Sequence, residues 1–74
     1  MITVTYVEAR IGYQIKFGKS MPENMTYKTA AEEIFKSFDL NESDFTAFLS
    51  SVAVRTSIDD YIHGRNEFAI KVGM

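Results

Sequence analysis

The sequence predicts an α+β fold: an antiparallel hairpin and a returning C-terminal strand, with one main helix packed across a four-stranded mixed sheet. Three observations predict it. Apolar residues alternate over the first seventeen positions, recur at helical spacing between Tyr27 and Phe38, and alternate again from Glu67 to Val72. With 74 residues and only one Pro, the chain is expected to form a single domain over positions 1–74.

Each element follows from its local pattern. Ile2, Val4 and Tyr6 fall on one side of a strand and Thr3 and Thr5 on the other. Ile11, Tyr13, Ile15 and Phe17, opposed by Gly12, Gln14 and Lys16, repeat the period of two, and the short Glu8-Ala9-Arg10 link predicts an antiparallel pair. Gly18 to Asn24 reads as a loop. Tyr27, Ala30, Ala31, Ile34, Phe35 and Phe38 then trace three turns of an amphipathic helix, with Thr26 as N-cap and Thr29–Glu32 as an alternative capping box. Phe45, Phe48, Leu49 and Val52 give helical spacing and predict a shorter second helix capped by Asn41 or Ser43, with Val52-Ala53-Val54 read as a short buried strand after it. Ser57 to Asp60 looks like another helix start and Gly64 like its end, before a last strand carrying Phe68, Ile70 and Val72 that returns beside the first.

In the C-terminal third, Val52-Ala53-Val54-Arg55 takes the place of a short central strand, and a polar, Gly64-containing turn leads from Ile58 to the strand ending at Val72. In this layout the chain resembles the ubiquitin-like β-grasp superfamily and its bacterial sulfur-carrier proteins. The resemblance implies a C-terminal diglycine whose carboxylate is activated. Here the last residues are Val72-Gly73-Met74, with one glycine only, which counts against a carrier or modifier role.

Composition narrows the function classes. No cysteine is present, so disulfides and thiolate metal sites are excluded, and a single histidine speaks against structural zinc. A chain of this size buries roughly 60% of its unfolded surface, and with 46% hydrophobic residues the apolar core has to supply its stability. The net charge of −2 is spread along the chain, unlike the clustered basic face of a nucleic-acid binder. No apolar run approaches the roughly 20 residues that span a bilayer. The opening Met1-Ile2-Thr3-Val4-Thr5-Tyr6 has neither the basic nor the apolar region of a secretory signal, so a cytoplasmic location is expected.

Candidate chemistry is sparse. Asp59 and His63, one helical turn apart, form an acid–base or two-ligand pair at most, and two ligands do not make a metal site. Asp39-x-Asn41-x-Ser43 starts like a calcium loop, then places Asp44 where glycine and Ser50 where glutamate is required, so it reads as a capping linker. Glu32-Glu33 and Asp59-Asp60 are neighbours that do not face one another on a helix. Ser50-Ser51 has no adjacent base, and Gly12 and Gly18 form no phosphate-binding loop. No catalytic residue, metal or cofactor is therefore expected.

The expected function is a small non-enzymatic protein-interaction module, its size suiting an accessory protein of a phage or mobile element that binds a host protein. The alternatives are a degenerate sulfur-carrier relative and a small homo-oligomeric subunit. The expected partner surface is the solvent side of the sheet, with Thr3, Thr5, Gln14, Lys16, Ala69 and Lys71, and the same face can pair two copies in a homodimer. Glu32, Glu33, Asp39, Glu42 and Asp44 form a rival acidic surface.

Overall fold

Thr5 ends the first strand and starts the first helix at once. The structure, a computed structural model, describes residues 1–56 and 66–71. In chain order these form β1 (Ile2–Thr5), α1 (Tyr6–Phe17), α2 (Tyr27–Ser37), α3 (Glu42–Arg55) and β2 (Glu67–Ile70). Among the described residues the fold is a small α+β arrangement of three helices on a two-stranded antiparallel sheet. The four-stranded mixed sheet with one main helix, and with it the β-grasp-like layout, is not what these residues build.

The largest correction is α1, where the sequence pattern predicts the second hairpin strand. Thr5 and Glu8 form a capping box: the Glu8 N–H donates to Thr5 Oγ1 at 3.1 Å, and Glu8 Oε1 accepts from the Thr5 N–H at 2.8 Å. Gly18 closes the helix at φ 72, and its N–H donates to the Gln14 carbonyl at 2.9 Å. Between these caps the buried residues are Val7, Ala9, Gly12 and Tyr13. Ile15 and Phe17, which complete the apparent strand alternation, are 39% and 38% exposed.

The helix α2 forms as its spacing predicts. Of the two candidate starts Thr26 is the one used, its hydroxyl oxygen accepting from the Thr29 N–H at 3.1 Å. Ala30, Ala31, Ile34 and Phe35 are buried on one face. On the outer face Lys36 lies 3.9 Å from Glu33. Asn41 caps α3 by accepting from the Asp44 N–H at 3.0 Å. This helix does not stop for a strand at Val52-Ala53-Val54 but continues to Arg55, because Phe45, Leu49 and Val52 share one buried face while Val54 points outward, 86% exposed. Its end is closed by Thr56, whose N–H donates to the Ala53 carbonyl and whose hydroxyl donates to the Val52 carbonyl. The helix expected from Ser57 to Gly64 and the final strand position Val72 lie outside the described residues.

The returning strand does lie beside the first. It runs antiparallel to β1 in the register Ile2↔Ile70, Thr3↔Ala69, Val4↔Phe68 and Thr5↔Glu67. Val4 and Ile70 face the helices and are fully buried. One apolar cluster joins them to Ala9 and Tyr13 of α1, to Ala30, Ala31, Ile34 and Phe35 of α2, and to Phe45 and Leu49 of α3. Gly12 lets the helices meet. A Cβ there would sit 3.2 Å from the Phe48 ring and 3.4 Å from Ile34.

Candidate functional site

The start of α2 is also the wall of a groove. The loop from Gly18 to Thr26 runs back along α1, tightened by a turn in which the Met25 N–H donates to the Pro22 carbonyl at 3.0 Å. Between this loop and the helices lies a groove of about 350 Å³, lined by Arg10 and Gln14 of α1, Tyr27 of α2, and the loop residues Ser20 to Glu23. Arg10 and Gln14 reach it together because positions four apart share a helix face. Both are exposed.

Tyr27 extends this groove into an aromatic stack. Its ring lies 5.0 Å from that of Tyr6, and Tyr6 in turn lies 5.3 Å from Phe68, with interplanar angles of 34° and 25°. The three rings come from the first residues of α1 and α2 and from β2. They meet because β1 leads into α1 without a loop, while β2 pairs beside it. Tyr6 and Tyr27 are each 37% exposed, while the half-buried Phe68 anchors the stack on the core. A second aromatic pair, Phe38 and Phe48 at 5.2 Å, lies at the other end of α1. There the Lys16 ammonium sits 4.3 Å above the Phe38 ring, which covers it with a cation.

The residues expected on one sheet face are distributed over three places. Thr3 and Ala69 are opposite each other on the exposed side of the β1–β2 ladder, with Lys71 just beyond β2. Thr5 is buried as the α1 cap. Gln14 and Lys16 belong to α1, and they part company there: Gln14 lines the groove and Lys16 covers Phe38. The rival acidic residues Asp39, Glu42 and Asp44 mark the α2–α3 link and the first turn of α3, where acids complement the helix dipole. The Asp59–His63 pair lies outside the described residues.

Sequence reasoning does not find the groove or the stack, because both depend on α1 being a helix. The available signal was Thr5-x-x-Glu8, a capping-box spacing, with Gly18 at the C′ position. The described residues hold no group of three or more His, Cys, Asp or Glu side chains placed to bind a metal. None of their helices is long and apolar enough to cross a membrane. Compared with known protein families, with curated proteins and with solved structures, the chain matches none.

Proposed function

We propose that this chain is a small protein-interaction module without catalytic activity, and that its partner docks along the stack of Phe68, Tyr6 and Tyr27 and into the adjoining groove. The observation that carries the reading is the continuity of the two through Tyr27, which belongs to both. Tyrosine supplies large contact area with only two side-chain torsions to immobilise, and exposed aromatic clusters of this kind are where interface binding energy concentrates. Arg10, Gln14 and Glu23 add polar groups that orient a ligand peptide at the rim, while Met21 and Pro22 supply apolar lining.

The test compares the wild-type protein with Tyr27→Ser and Gln14→Arg, both exposed positions, after circular dichroism shows that the helices are kept. A partner that the wild type retains and both variants lose supports the reading. A partner retained equally by all three places docking elsewhere and overturns the proposed site. Turnover of a small-molecule substrate by the purified chain overturns the reading altogether.

A further inference from the structure

The direction in which each backbone group of the two strands points follows from the ladder. Antiparallel neighbours alternate between pairs that exchange both N–H···O bonds and pairs whose N–H and C=O face away from the partner. The Tyr6 N–H donates to the Asn66 carbonyl at 2.9 Å, one step beyond Thr5↔Glu67 in the same register. Tyr6/Asn66 is therefore of the bonded kind, and so are Val4/Phe68 and Ile2/Ile70. Thr3/Ala69 and Thr5/Glu67 are of the other kind. The Thr5 N–H agrees, since it turns away from β2 and donates to Glu8 Oε1 at 2.8 Å.

The two outer edges are unequal as a result. On β1, the Thr5 N–H is taken by Glu8 and, as the cap residue, its carbonyl opens the hydrogen bonding of α1, which leaves Thr3 as the outward-facing residue of that strand. On β2, Glu67 and Ala69 both face outward, and Lys71, one residue beyond the strand, is the next position of the same parity. All three side chains are exposed, and no strand lies beside this edge among the described residues.

We infer that a second copy of this chain pairs along this edge, β2 against β2, antiparallel about a twofold axis at Ala69. In that register Ala69 faces its own counterpart, Glu67 faces Lys71 of the second copy, and Lys71 faces Glu67. All of these residues are outward-facing, so each exchanges its backbone bonds across the axis, and opposite charges lie directly opposite one another twice. Centring the pair on Glu67 or on Lys71 instead would set like charges together. The product is a continuous four-stranded sheet, β1-β2-β2-β1, built from two marginal two-stranded ones. The backbone edge and the outer charges carry this pairing, so it does not depend on a partner in the groove.

Sedimentation velocity over a wide concentration range tests it, together with variants chosen from the geometry. Lys71→Glu sets two like-charge pairs across the axis and is expected to weaken dimerisation roughly tenfold, and Glu67→Lys combined with Lys71→Glu is expected to restore it. Hydrogen-bonded antiparallel partners lie about 5.5 Å apart at Cα, within disulfide reach. Because the chain has no cysteine of its own, Ala69→Cys should cross-link two copies under mild oxidation while Thr3→Cys, on the other strand, should not. A strict monomer at every concentration overturns the inference. So does a double charge variant no better than Lys71→Glu, or a Thr3→Cys protein that cross-links as fast as Ala69→Cys.

Discussion

Asp39 and Leu40 stand side by side in the left-handed region, at φ 55 and 61. That conformation costs an L-residue about 1–2 kcal/mol, and Leu has no side-chain polar group to offset it. The turn is held by the carbonyls at the end of α2: Asp39 N–H donates to Lys36, Leu40 N–H to Phe35 and Asn41 N–H to Phe38. Leu40 is 43% exposed, so only part of its side chain is covered in return. Leu40→Asn, which tolerates the left-handed region, should therefore stabilise the protein by about 0.5–1 kcal/mol in urea melts. Gly12 gives the opposite kind of prediction. Its nearest obstacle is the edge of the half-buried Phe48 ring at 3.2 Å, which has room to give. Gly12→Ala also gains about 1 kcal/mol of helix propensity and should stay within about 1 kcal/mol of the wild type. Gly12→Val adds two methyls beyond the Cβ at the place where α1 meets Ile34 and Val52, and should cost about 1–3 kcal/mol.

Among the elements, α1 depends on its first turn. Glu8 Oε1 accepts from both the N–H and the hydroxyl of Thr5, each at 2.8 Å. Thr5→Ala should lower stability by about 1 kcal/mol. A double-mutant cycle with Glu8→Ala should show the two losses to be non-additive, since each side chain is the other's partner. The same junction explains what could be read in advance. For α2, cap and apolar spacing agreed, as did the final alternation of Phe68 with Ile70 in β2. For α1 they conflict: Ile11, Tyr13, Ile15 and Phe17 mimic a strand, but of the four only Tyr13 is buried, Ile11 being half-buried and Ile15 and Phe17 exposed. The run Val52-Ala53-Val54 misled in the same way, because β-branched residues favour strands until a helix face as apolar as Phe45, Leu49 and Val52 outweighs that preference. The candidate site was hidden for a related reason. A groove and a ring stack made by three elements have no spacing of their own in the sequence, and the strand-like pattern puts Gln14 on the sheet's solvent side, whereas in α1 it lines the groove.

At the scale of the whole molecule, stability rests on a small core. Proteins gain roughly 0.05–0.15 kcal/mol per residue, or about 4–11 kcal/mol for a chain of this length. Phe45 is the largest side chain with no exposure, and its ring meets that of Phe35 at 5.1 Å. Phe45→Ala should cost about 3–5 kcal/mol, enough to leave much of the protein unfolded at 37 °C by circular dichroism, whereas Val54→Ala on the same helix should change little. The pairing of β1 with β2 has a consequence in time as well as in energy. Residues 2–5 are made well before their partners, 67–70, with α1, α2 and α3 between them. Until then Val4 has no strand beside it, and its backbone groups face water or a neighbouring chain. Synthesis thus leaves β1 waiting until residues 67–70 have emerged, and a translation product stalled before them would present that open strand, apolar side included, to whatever is nearest.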